Sequence, residues 1–99
     1  MRVKFHPAAR AEMREAVLFY KKVSESVKGR FIVEMQRVQD RMKEFPLASE
    51  AVLGSVRRQL LQRFPYSILY SVEGTQILIV AVAHQSRRPG YWKDRLKDV

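Results

Sequence analysis

Seven consecutive apolar residues, Ile77-Leu78-Ile79-Val80-Ala81-Val82-Ala83, constrain this chain more than any other feature. The run lacks polar alternation, so neither side of it suits water. It reads as the central strand of a sheet, covered on both faces. It falls far short of the ~20 apolar residues a bilayer-spanning helix needs. Val72-Glu73-Gly74-Thr75 precedes it as a connection, with Gly74 available for a left-handed turn position. Two further extended segments lie upstream, roughly 56–63 and 66–72, separated by Pro65 where no ladder N–H is needed. The predicted meander therefore has strands near 56–63, 66–72 and 76–83.

The N-terminal half supplies what covers such a sheet. Residues 2–6 alternate polar and apolar, the pattern of a half-buried strand. Pro7 suits the first turn of a helix, where its missing N–H costs nothing, so His6 and Pro7 read as a helix start. Ala9, Met13, Ala16, Val17 and Tyr20 then form one helical stripe, ended by Lys21, Lys22 and Ser24-Glu25-Ser26. A second stripe, Phe31, Met35, Val38, Met42 and Phe45, predicts core packing and stops at Pro46. Residues 47–55 read as a loop, and Pro89 to Leu96 as a short helical turn. The predicted class is α+β in the order β-α-α-β-β-β, a helical hairpin packed on a small, mostly antiparallel sheet. At 99 residues this is one domain, spanning 1–99.

Charge narrows the partners. Nineteen Lys and Arg against ten Asp and Glu leave a formal +9, and the arginines are clustered. Such a field steers polyanions inward, whether nucleic acid or an acidic protein segment. The absence of cysteine excludes disulfides and thiolate metal sites. His6 and His84 stand far apart and outside any ligand-spaced cluster, so no metal site is expected. The four scattered glycines give neither a phosphate-cradling loop nor a dinucleotide fingerprint, and no cofactor is expected. The basic start lacks the apolar stretch of a secretory signal, so a cytoplasmic protein with no membrane association is expected.

Four features are candidates for chemistry. In an extended segment 56–63, Arg57 and Arg63 point to one face and Arg58 to the other. Paired guanidinium donors there make a polyanion platform, or else charge that guards an edge strand. After the apolar run comes His84-Gln85-Ser86-Arg87-Arg88-Pro89-Gly90-Tyr91-Trp92. His84 is a proton exchanger near neutrality, Arg87 and Arg88 neutralise phosphate, and Tyr91 or Trp92 can stack on a base. The bland reading makes His84 structural and Trp92 a core plug. Tyr66 and Tyr70, four apart on one strand face, either flank a groove or pack under the helices. His6 is read as a helix start and not as a catalytic group.

Several stretches together resemble a known superfamily: Phe5-His6-Pro7-Ala8-Ala9, Phe19-Tyr20, Gly29-Arg30-Phe31, Phe45-Pro46, Val56-Arg57-Arg58, Phe64-Pro65-Tyr66-Ser67-Ile68-Leu69-Tyr70, Ala83-His84 and Arg87-Arg88-Pro89-Gly90-Tyr91-Trp92. In order and spacing they are similar to RelE/ParE toxins of type II toxin–antitoxin systems, best to the ParE-like, plasmid-stabilisation branch. The resemblance implies the same β-α-α-β-β-β fold. It also implies a cognate antitoxin whose acidic or amphipathic segment covers the basic sheet face.

For function the resemblance leaves three outcomes. The leading expectation is a ribosome-dependent, metal-independent mRNA endoribonuclease that arrests growth. The alternatives are a ParE-like inhibitor of DNA gyrase without nuclease activity, and an inactive homologue. A ribonuclease makes the ribose 2′-hydroxyl attack the neighbouring phosphate, which needs a proton acceptor, positive charge and help for the leaving oxygen. By motif position the resemblance assigns catalysis to Arg58, Arg87, Tyr91 and His84. Arg57, Arg63, Arg88 and Trp92 are the candidate nucleic-acid contacts. One departure matters: Ser67 stands where many of the ribonucleases carry a phosphate-facing arginine. Either Arg63 supplies that charge from the adjacent strand, or nuclease activity is weak or absent. A homodimer is left open.

Overall fold

In the computed structural model, which describes residues 1–98, the apolar run lies inside the longest strand, β5 (Gln76–His84). Its neighbours are β1 (Arg2–Phe5), which it pairs in parallel, and β4 (Tyr66–Glu73), which it pairs antiparallel. Beyond β4 come β3 (Val56–Leu60) and β2 (Glu50–Leu53), giving the order β1-β5-β4-β3-β2. The class is α+β as expected, with one strand more. Part of the predicted 47–55 loop is β2, whose Glu50 and Ala51 pair with Arg58 and Arg57 before a bulge at Val52 and a turn at Gly54 (φ 55°). Four residues with a mostly exposed face leave no periodicity to read. The apolar strand is interior but second in line; β4 holds the centre.

Two helices cover one face: α1 (Pro7–Val23) and α2 (Glu25–Glu44). His6 caps α1, its Nδ1 accepting the Ala8 amide at 3.0 Å, and Pro7 takes the first helical position. One residue, Ser24, separates the helices. Its amide donates to the Tyr20 carbonyl to end α1, and its Oγ accepts the Val27 amide at 3.0 Å to start α2. Ser24→Ala removes the second bond and is expected to cost about 1 kcal/mol of stability in urea denaturation. A loss within error of zero would mean that water caps α2 equally well.

The α2 stripe begins earlier than the sequence suggests, because Val27, one turn before Phe31, already packs on the core. It also ends earlier. Phe45 leaves the helical path (φ −130°, ψ 67°) and is half-exposed beside the Arg41 guanidinium, so its expected core role does not hold. No helix among the described residues is long and apolar enough to cross a membrane.

The sheet carries two apolar clusters, one per face. Under the helices, Tyr20, Phe31, Met35, Val38 and Met42 meet Ile68, Tyr70, Ile77, Ile79 and Val82. Tyr66 and Tyr70 both belong to this face. Tyr66 packs on the rings of Tyr20 and Phe31, and the Tyr70 hydroxyl donates to the Pro46 carbonyl at 2.9 Å. On the other face Val56, Leu69, Leu78, Val80, Ala81 and Ala83 gather around Trp92. The β4–β5 register skips one residue between the pairs Leu69–Ala81 and Tyr70–Ile79, leaving Val80 as a bulge. Val80 and Ala81 therefore both serve the second cluster. That slip, together with cover on both faces, is why the run shows no alternation.

Candidate functional site

β5 ends at His84, and the chain turns there because the Arg87 amide donates to the His84 carbonyl at 3.0 Å. Gly90, at φ 76°, supplies a left-handed step that most side chains avoid. The following residues then cross the open sheet face and end in a 3-10 helix, Lys93–Asp98. This return path seats Trp92 over the second cluster, only 5% exposed.

A single carboxylate pins the tail. Glu12 of α1 accepts the Val82 amide at 3.0 Å, the Tyr91 hydroxyl at 2.6 Å, and both terminal nitrogens of Arg95 at 2.8 and 2.9 Å. Arg95 also donates to the Val80 carbonyl at the bulge. Burial raises the Glu12 pKa, but the bonds from Arg95, Tyr91 and Val82 outweigh it and hold the carboxyl below its ordinary value. The hydrogen bond to Glu12 leads in raising Arg95. Burial, then the Glu12 bond, push Tyr91 well above a free phenol, so its hydroxyl keeps its proton.

Between this tail and β3 lies an open groove of about 520 Å³. Val52, Leu53, Leu60, Leu69 and Ala83 give it apolar surface, Ser67 lies in its lining, and Arg58, Arg87, Arg88 and Lys93 give it charge. The Arg87 guanidinium lies 3.9 Å from the Tyr91 ring centroid, a cation–π contact that fixes its direction. Arg58 is bonded to Glu50 at 2.6 Å, but the pair is exposed and contributes little to stability. The groove can bind an anionic surface with apolar patches.

Arg58, His84, Arg87, Arg88, Tyr91 and Trp92 all line this groove, and of the predicted residues Arg57 and Arg63 lie outside it. His84 borders the groove, but its ring meets Tyr66 edge-on at 5.2 Å, and Tyr66 belongs to the helix side. Its Nδ1 accepts the Ser86 amide at 3.0 Å. Trp92 lines the groove but is buried in the second cluster, the placement of a core plug. Arg57 sits opposite Tyr70 and donates to the carbonyls of Leu47 and Ser49, bracing the connection before β2.

Arg63 does not share a strand with Arg57, because β3 stops at Leu60. Its amide is held by Glu34 of α2, and it lines a different, helix-side groove with Arg30, Arg37 and Phe64. It therefore does not supply the charge that Ser67 lacks.

Glu12, Arg95 and Glu34 were missed by sequence reasoning, yet two of them leave a signal. Ala9, Glu12, Met13 and Ala16 stand at i, i+3, i+4 and i+7, as do Phe31, Glu34, Met35 and Val38. An acid inside an apolar helical stripe needs a buried partner. Both find backbone amides on the sheet side, Val82 for Glu12 and Gln62 with Arg63 for Glu34.

Comparison with known proteins agrees with this architecture. The family described as the ParE toxin of the type II toxin-antitoxin system, parDE, matches residues 3–89. Among solved structures, the chain is similar to one from P. aeruginosa described as a chromosomal ParDE TA system, with a TM-score of 0.60 and 19% identity. That similarity covers 85% of this chain and 95% of the other, and at such identity it speaks for the fold. No curated protein matches. The family match ends before the tail that carries Tyr91, Trp92 and Arg95.

Proposed function

The chain belongs to the ParE toxins of type II toxin–antitoxin systems, and on that premise we propose that it arrests growth by binding DNA gyrase, without cutting nucleic acid itself. The observation that carries the second half is the Tyr91 hydroxyl, committed to Glu12 at 2.6 Å with its pKa raised. A phenol so held is a poor proton acceptor for a ribose hydroxyl. Ser67 in the groove and Arg63 outside it leave the place of the phosphate-facing arginine without a cation.

In this reading Arg87 and Arg88 are the contacts to an acidic surface of the target, and Leu53 and Leu60 flank them with apolar area. The cognate antitoxin, through an acidic or amphipathic segment, covers the same face and blocks the target. A gyrase inhibitor acts in the cytoplasm, where the target resides.

The test is a supercoiling assay with purified chain beside mapping of mRNA ends after induction. The wild type is expected to inhibit supercoiling and trap protein-linked DNA breaks. Arg87→Ala should weaken inhibition at least about tenfold, as expected for a central arginine contact. Codon-phased mRNA cuts with unimpaired gyrase would overturn the proposal in favour of the endoribonuclease.

A further inference from the structure

We infer that Glu12 is a positioning residue for the groove: by holding the Tyr91 hydroxyl it fixes the ring that carries Arg87. The inference rests on the reading of Arg87 as a target contact, but its geometry is independent of which target that is. Glu12 sits on α1 and does not line the large groove, although it shares a smaller neighbouring pocket with His84 and Arg87. Its bonded route to the groove runs through Tyr91.

The chain of contacts is short. Glu12 Oε2 takes the Tyr91 hydroxyl at 2.6 Å and an Arg95 nitrogen at 2.9 Å, and the Tyr91 ring has Arg87 3.9 Å from its centroid. Arg95 lies 5.0 Å from the same centroid, so two guanidinium groups attend one ring. Arg87 is exposed and follows a turn, where a free arginine samples many rotamers. Stacking on an anchored ring removes most of that freedom before any partner arrives, and a pre-ordered contact binds more tightly. Without the anchor, the ring keeps its packing against the second cluster but loses the bond that sets its tilt.

Glu12→Gln keeps the shape of the side chain and exchanges one of its two acceptor oxygens for a donor, so the hydroxyl and an Arg95 nitrogen compete for what is left. Two readouts separate positioning from general support. The first is the upfield shift that the Tyr91 ring imposes on the Arg87 methylene protons, read by NMR. It is expected in the wild type and should collapse in Glu12→Gln while Trp92 emission stays that of a buried indole.

The second readout is a double-mutant cycle in gyrase inhibition. Glu12→Gln should lose about tenfold in the wild-type background and nothing further in Arg87→Ala, the signature of residues acting as one unit. If Glu12→Gln exposes Trp92, Tyr91→Phe decides instead, since it removes the hydroxyl and retains the ring. An Arg87 shift that survives in the deciding variant, or losses that add in the cycle, would overturn the inference. A wild type that leaves gyrase untouched would remove the functional reading alone, because the NMR arm still tests Glu12.

Discussion

Trp92→Ala should destabilise the chain by about 3–5 kcal/mol, the range for truncating a buried aromatic. The physical basis is where the indole sits. Val56, Leu69, Leu78, Val80, Ala81 and Ala83 form the floor of the second cluster, on the face that α1 and α2 do not cover. Among the described residues of the tail, Trp92 is the one large side chain fully seated there, with Tyr91 and Leu96 only partly buried beside it. An alanine leaves a void that these neighbours cannot fill, and water reaches both strands. Against a total stability on the order of 5–15 kcal/mol, the variant would be marginal. Urea denaturation followed by far-UV circular dichroism measures the loss directly. A cost below about 1 kcal/mol would show that the tail adds little to the fold.

Glu12→Ala should be nearly as damaging, by about 3–5 kcal/mol, because it strands Arg95 as an uncompensated cation. The two side chains are only 12% and 16% exposed, so solvent cannot replace the lost partner. Replacing both, as in Glu12→Leu with Arg95→Met, should recover much of the stability, since the desolvation of both charges disappears together.

The pH dependence follows from the lowered Glu12 pKa. The unfolded glutamate holds its proton more tightly than the folded one. The stabilisation is therefore complete above the unfolded value of about 4.3 and is lost as pH falls through the lower folded value. Stability measured from pH 7 down to pH 3 should decline more steeply in the wild type than in Glu12→Ala. Parallel curves would remove Glu12 as the source of the acid sensitivity.

Much of this molecule was legible because its strongest signals are periodic. The stripes from Ala9 to Tyr20 and from Phe31 to Met42, the alternation at 2–6 and the unbroken run at 77–83 each fixed an element and the face it buries. What escaped notice depended on contacts distant in sequence. β2 exists because Glu50 and Ala51 find β3, and nothing local announces it. Arg63 fell inside the expected strand 56–63, but β3 stops at Leu60 and Glu34 accepts the amides of Gln62 and Arg63 beyond it.

The candidate site was half visible for the same reason. Clustering in sequence found Arg58, Arg87, Arg88 and Tyr91. It could not foresee that Trp92 turns inward one residue after Tyr91, or that the phenol is bonded to α1. A glutamate within each apolar stripe was the available clue, and it marked both buried carboxylates.

The parallel pairing of β1 with β5 has a consequence for how the chain assembles. Arg2 to Phe5 find their ladder partners only at Gln76 to Ile79, and Glu12 finds its guanidinium only at Arg95. The helical hairpin closes its own caps, but β1 and Glu12 find their partners only in segments some 70 to 80 residues away. Closing such long loops is slow compared with local helix growth. Assembly should therefore be a concerted event that joins β1 and α1 to β5 and the tail beyond it.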